Sequence, residues 1–265
     1  MKDFAGHWAL ITGASSGIGE EFARQLAARG MNLILAARRA ERLTALGEEL
    51  AQQHGIQFHA VPVDLLAAGE PEGLVHQVKE FGHPIELLIN NAGFGLMSRV
   101  DDTSREEVQR MLALNVAVLT DLTYAMLPQM LERQSGAIVN IASLAAFQPV
   151  VYMPAYGATK AYVLHFSEAL WAETRERNVH VMAVCPGFTK SEFFEVAGMT
   201  GWYTRFAQTP QDVVTTSLKA LRRRKAFVVC GWLNWLTSLM PRFVTRKRVV
   251  LGSELMMRPP QDKAE

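Results

Sequence analysis

Six times in succession, this chain of 265 residues sets a short apolar run, fit for a buried strand, ahead of a turn and a helical pattern. The runs fall at 7–12, 31–37, 56–63, 85–90, 137–142 and 180–185, and a seventh, AFVVC, closes the series at 226–230. Helical patterns begin at Gly17, occupy about 41–53, 71–82 and 103–132, open again at Pro154, and recur at about 210–224. Alternation at this spacing predicts an α/β architecture: a parallel seven-stranded sheet with helices on both faces, as a single domain over 1–265. Parallel neighbours need a crossover of a dozen residues or more, and the intervening helices supply it. No internal repeat or low-complexity linker interrupts the series. Apolar residues make up 49% of the chain, enough for a sizeable core.

The first turn reads Gly13-Ala14-Ser15-Ser16-Gly17-Ile18-Gly19, between a strand and a helix. In that context glycines let the backbone turn tightly and approach a pyrophosphate, which rests on the helix N-terminus. The Gly-x3-Gly-x-Gly spacing differs from the usual dinucleotide fingerprint, and no Gly-Lys-Ser/Thr follows, so an ATPase-type loop is excluded. A plain loop is the competing reading. After the second strand stand Ala37, Arg38 and Arg39, where an acidic residue would accept from a ribose 2′-hydroxyl. A guanidinium fits a 2′-phosphate instead, and arginines at a helix start oppose its dipole, which weakens the bland account. The pattern favours NADP(H) over NAD(H).

Ser143 follows the fifth strand, at the end where open α/β sheets bind ligands. Tyr156 and Lys160 stand four apart on the helix opened by Pro154, and so share one face. A free phenol titrates near pH ~10. An adjacent ammonium that lowered this by about three units, worth roughly 4 kcal/mol, would bring proton exchange within reach of neutrality. Each piece alone is more often ordinary, a lysine stem beside a ring or a turn serine. Asn115 is a polar amide inside ALNVAVL, and if buried it must be satisfied by a backbone carbonyl, a water or a ligand.

Residues 188–208 break the rhythm with mixed aromatics and two glycines, and read as a mobile lid over a substrate. The segment from about 231 to 265 is basic and apolar, with Trp232, Trp235, Leu236, Leu239 and Met240 spaced for one side of a helix. Glycine, asparagine and proline interrupt the run, so it is too broken to span a membrane. Docking on the domain or on a second subunit is the main reading. Lying on a membrane surface, with Arg246-Lys247-Arg248 against anionic lipid, is the alternative.

The net charge of +1 gives no reason to expect nucleic acid. Cys185 and Cys230 stand apart from any Cys/His cluster and read as reduced, buried residues of a cytoplasmic protein, with no metal site. The apolar run in MKDFAGHWALITG reads as a strand, not a signal peptide.

Taken together, TGASSGIG, Asp64, NNAG at 90–93, Asn115, Ser143, Tyr156-x3-Lys160 and Pro186-Gly187 resemble the short-chain dehydrogenase/reductase family, of ordinary length. The match runs from Thr12 to Thr189, and the last 75 or so residues match only loosely. The basic, apolar tail resembles the branch of hydroxysteroid and 3-ketoacyl-thioester reductases. The resemblance implies a Rossmann-type fold and a homodimer or homotetramer built on the Asn115 and Tyr156 helices. It implies Tyr156 as general acid or base, Lys160 on the nicotinamide ribose, Ser143 on the substrate oxygen, and Asn115 holding a proton-relay water. Gly13, Ser16, Gly17, Ile18 and Gly19 would form the pyrophosphate loop, and Asp64 and Asn91 would contact the cofactor. Thr189 would hold the carboxamide, and Ser15 and Arg38 the 2′-phosphate. Phe94, Leu96, Val150, Phe188 and Phe193 are the apolar candidates for the substrate wall.

The function expected is reduction of a carbonyl, or oxidation of the corresponding alcohol, on an apolar substrate. An NADP-binding redox sensor or scaffold acting through the tail, and a membrane-surface enzyme, are the competing expectations.

Overall fold

The computed structural model describes residues 4–198 and 207–258. Its strands are β1 (Trp8–Thr12), β2 (Asn32–Ala37), β3 (Phe58–Pro62), β4 (Ile85–Asn90), β5 (Gly136–Ile141), β6 (Val179–Cys185) and β7 (Phe227–Val229). They form one sheet in the order β3-β2-β1-β4-β5-β6-β7, with every pairing parallel. The helices are α1 (Gly17–Ala27), α2 (Ala40–His54), α3 (Glu70–Glu80), α4 (Arg105–Leu112), α5 (Leu119–Arg133), α6 (Pro154–Thr174), α7 (Phe193–Val196), α8 (Pro210–Arg222), α9 (Trp232–Leu239) and α10 (Arg246–Met257).

The period of two along each strand divides the core between the two faces. Ala9, Ile11, Leu33 and Leu35 pack with Phe22, Leu26, Leu43, Leu50 and Val213 from α1, α2 and α8. The alternate residues Leu10, Ile34 and Ala36 pack with Leu74, Val78, Leu122, Met126 and Leu170 from α3, α5 and α6. Strands covered on both sides read as continuous apolar runs, which is why the sequence announces them. Burial of each such leucine or isoleucine contributes about 1.5–3 kcal/mol before ordering costs. Strand order reverses between β1 and β4, so a crevice opens beyond their C-terminal ends.

Two expectations need correction. The long helix predicted over 103–132 runs from Arg105 to Arg133 but changes hydrogen bonding midway, in a π-helical stretch over Ala113–Val118. The tail was expected to dock on the domain or on a second subunit, and within the chain its apolar stripe does not dock on the domain but faces out, with Trp232 71%, Trp235 51% and Met240 58% exposed. The inward side of α9 is polar. Asn234 Nδ2 donates to the Cys230 carbonyl at 2.7 Å and to Gln208 Oε1 at 3.2 Å, and Ser238 is buried. The α10 helix docks through Ser253, whose hydroxyl accepts from the Val151 N–H at 3.1 Å, and through buried Met257. Of the expected lid, residues 199–206 lie outside the described residues, as do residues 259–265 of the tail.

Candidate active site

The turn from β1 into α1 brings the backbone to the crevice floor. Gly13 has φ +65, and a β-carbon there would stand 2.8 Å from Asn91 Nδ2. A β-carbon on Gly19 would overlap the Gly13 carbonyl oxygen. The turn can therefore close flush only with glycine at both positions. Asn91, just past β4, ties the turn down. Its Nδ2 donates to the carbonyls of Thr12 at 3.0 Å and Gly13 at 3.1 Å, and its N–H donates to Thr12 Oγ1 at 3.0 Å. Asn91 thus spends its amide on the loop itself. Asp64, at the rim, accepts from the Leu66 N–H at 3.2 Å.

Asn115 projects from the π-helical stretch and is buried. Its Oδ1 accepts from the Phe94 N–H at 3.1 Å, and its Nδ2 donates to the Phe94 carbonyl at 2.8 Å and Thr159 Oγ1 at 3.2 Å. Thr159 in turn donates to the Tyr156 carbonyl at 2.7 Å. The amide is thus satisfied mainly by main chain and couples the loop after β4 to the first turn of α6. A π turn redirects one side chain relative to its helical neighbours and recurs at functional sites.

Ser143 sits beyond β5 as the N-cap of a 3-10 turn over Leu144–Phe147, its Oγ accepting from the Ala145 N–H at 3.1 Å. Across from it, α6 presents Tyr156 and Lys160, both buried. The Tyr156 hydroxyl and the Ser143 side chain meet in the same cleft. Lys160 Nζ donates to the Ile141 carbonyl at 2.8 Å and lies 5.7 Å from the centroid of the Tyr156 ring.

The electrostatic balance reverses the sequence expectation for the phenol. Burial pushes the Tyr156 hydroxyl up to about 12, against a smaller downward pull from Ser143. Burial also pushes the Lys160 ammonium down to about 8. The lysine stands over the ring face and spends a proton on a carbonyl, so desolvation dominates both groups.

At the opposite end of the crevice the structure distinguishes the two adjacent arginines. Arg38 lies exposed on the rim. Arg39 turns in, donating to Ser15 Oγ at 3.0 Å and Ser16 Oγ at 2.9 Å. Sequence reading named both arginines but gave the 2′-phosphate to Arg38, and it did not single out Thr159 or Glu192, the last of which pairs with Arg39 at 2.8 Å. No sequence signal separates one arginine from its neighbour, because the direction of the chain leaving β2 decides it.

These groups line one cleft of about 590 Å³ that runs from Ser15 and Arg39, past the glycine turn, to Ser143, Tyr156 and Lys160. A cationic end, a flush backbone floor and a buried hydroxyl pair suit an elongated dinucleotide with a substrate beyond it. Ile18, Asp64 and Asn91 border it, as does Thr189, whose hydroxyl donates to the Gly187 carbonyl at 3.1 Å. Phe94, Val150, Phe188 and Phe193 also line it, and Phe193 packs on the Tyr156 ring at 5.6 Å. Leu96 stands behind that wall, in the apolar cluster with Met153 and Ala197. Thr237, Ser253, Met256 and Met257 of the tail also line the cleft.

A seven-stranded doubly wound sheet with a hydroxyl pair and lysine at its crevice defines a Rossmann-type oxidoreductase. The short chain dehydrogenase family model matches residues 7–199, and the chain belongs to that family of dehydrogenases and reductases acting on CH–OH or carbonyl groups. A very-long-chain 3-oxoacyl-CoA reductase of Anas platyrhynchos is 29% identical over 247 residues, covering 89% of this chain and 76% of that one. A short-chain dehydrogenase from Sphingobium yanoikuyae, solved with NADPH, is 32% identical with a TM-score of 0.79, covering 98% of both chains. The bulky-bulky ketone specific alcohol dehydrogenase of Comamonas testosteroni is 28% identical with a TM-score of 0.77, covering 98% of this chain and 97% of that one.

Proposed function

We propose that this chain is an NADP(H)-dependent reductase of a carbonyl on a bulky apolar substrate, with Tyr156 as the general acid. The observation that carries the reading is the buried Tyr156 hydroxyl sharing one cleft with Ser143 and Lys160 beside an aromatic wall. A bound nicotinamide supplies the hydride that reaches the carbonyl carbon. The chain supplies the proton and the charge stabilisation. Ser143 and Tyr156 hydrogen-bond the substrate oxygen, and as negative charge grows there Tyr156 transfers its proton to it. The buried phenol is protonated at neutral pH, as a proton donor must be. Lys160 binds the nicotinamide ribose, and Asn115 fixes the loop carrying Phe94 against α6. Burial of the reacting oxygen excludes water and strengthens these interactions.

The NADP(H) preference rests on Arg39 with Ser15 and Ser16, and the relative solved with NADPH agrees with it. The apolar substrate rests on Phe94, Val150, Phe188 and Phe193, and on relatives named for 3-oxoacyl-CoA and bulky ketones. A panel of bulky ketones and 3-oxoacyl thioesters, followed by NADPH absorbance, tests the reading. Turnover on none of them, or faster turnover with NADH, would remove it.

Two surfaces bear on assembly. Tyr124 and Tyr162 are exposed on α5 and α6 and pack about Phe166, an aromatic face suited to a homodimer or homotetramer built on these helices. The outward stripe of α9, with Phe243 83% exposed and Arg242, Arg246, Lys247 and Arg248 beside it, suits peripheral contact of a cytoplasmic enzyme with an anionic membrane.

A further inference from the structure

At the adenosine end of the cleft, one carboxylate is shared between two guanidiniums. Glu192 Oε2 accepts from Arg39 Nη1 at 2.8 Å, and Glu192 Oε1 accepts from Arg42 Nη1 at 2.6 Å. Glu192 belongs to the segment after β6, and its neighbour Phe193 packs on Tyr156. Arg39 meanwhile reaches the glycine turn through Ser15 and Ser16. All three charged side chains are near half exposed, at 40%, 53% and 42% for Arg39, Arg42 and Glu192. Ion pairs so open to water contribute little to stability, about 0–1 kcal/mol, and exchange partners readily.

We propose that Glu192 sets cofactor selectivity by occupying the donors that a ribose 2′-phosphate would take, so that a phosphorylated dinucleotide must displace its carboxylate from Arg39 and Arg42. The inference rests on the dinucleotide reading above. Geometry makes the exchange possible because the guanidinium fork that fits a carboxylate also fits a phosphate. Charge drives it: a phosphate monoester carries about −1.5 to −2 near neutrality, against −1 for the carboxylate, and brings three acceptor oxygens. A 2′-hydroxyl brings no charge and leaves the pairs intact. Displacement has a second consequence. The Glu192 side chain anchors the start of α7 to α2, so releasing it frees the Phe193 wall at the substrate end.

The test is calorimetric titration of the full chain and of Glu192→Gln with NADP⁺, NAD⁺ and 2′,5′-ADP. Loss of the competing carboxylate, and of its repulsion toward the incoming phosphate, tightens NADP⁺ and 2′,5′-ADP by about tenfold, while NAD⁺ changes less than about twofold. Unchanged or weaker NADP⁺ binding in the variant, or an equal gain for NAD⁺, overturns the inference while leaving the dinucleotide site standing. Absence of binding by the unaltered chain to all three ligands overturns the dinucleotide reading, and this inference with it.

Discussion

Lys160 Nζ lies 5.7 Å from the centroid of the Tyr156 ring while donating to the Ile141 carbonyl at 2.8 Å, so the ammonium covers the face of the phenol and is anchored to the strand that leads into Ser143. Both groups are buried. The site therefore holds its protons by desolvation, a phenol that keeps its own and an ammonium that gives its up more easily than usual.

That arrangement has a pH signature. The folded-state value of Lys160 is depressed to about 8 from an ordinary 10.5, so its stabilising contribution is present above 10.5 and is lost as pH falls through 8. Lys160→Met removes the titration. Its stability relative to the unaltered protein improves as pH falls from 10.5 toward 7, even though the Ile141 carbonyl loses a donor. Denaturant midpoints at several pH values read this, and a gap independent of pH would show the ammonium to be well solvated.

Asn115 satisfies both main-chain groups of Phe94 at once. Asn115→Leu strands a part-buried N–H and C=O, each costing up to about 1–3 kcal/mol. Urea denaturation should show a loss of about 2–4 kcal/mol. Thr159→Val, which removes only the hydroxyl between Asn115 and the Tyr156 carbonyl, should cost about 1 kcal/mol and lower kcat more than it raises KM.

The floor of the cleft makes a steric prediction. A methyl group on Gly19 collides with the Gly13 carbonyl, which is backbone and cannot swing away. Gly19→Ala should lose dinucleotide affinity by at least tenfold in fluorescence titration while circular dichroism stays that of the unaltered fold. Retained affinity would show that the turn has slack.

The tail predicts a surface activity. Trp232→Ser combined with Trp235→Ser, at positions 71% and 51% exposed, should abolish flotation of the chain with phosphatidylserine vesicles and leave reductase turnover within about twofold. No flotation of the unaltered chain at low salt would assign the stripe to contact between copies.

Much of this was legible in the residues. The strands announced themselves because each is apolar on both faces, and the glycine turn, Ser143, Tyr156 and Lys160 could be placed by their order on the elements together with the family resemblance. The rest depended on relations that spacing does not encode. ALNVAV has the same apolar pattern whether its hydrogen bonds close at i+4 or i+5, so the turn that aims Asn115 was invisible. Arg38 and Arg39 are the same residue twice, and only the exit angle of β2 points one inward. Glu192 meets Arg42 across 150 positions of chain. For α9 the one-sided pattern was read correctly, but not that its polar side, with Asn234 and buried Ser238, would face in.

The most direct measurement is turnover of Tyr156→Phe beside its affinity for NADPH. The substitution keeps the ring against Phe193 and removes only the hydroxyl that meets Ser143. If Tyr156 is the proton donor, carbonyl reduction falls by about 10²–10⁴-fold while NADPH binds within about twofold of the unaltered chain. Reduction surviving at a tenth of its original rate or better would contradict the account.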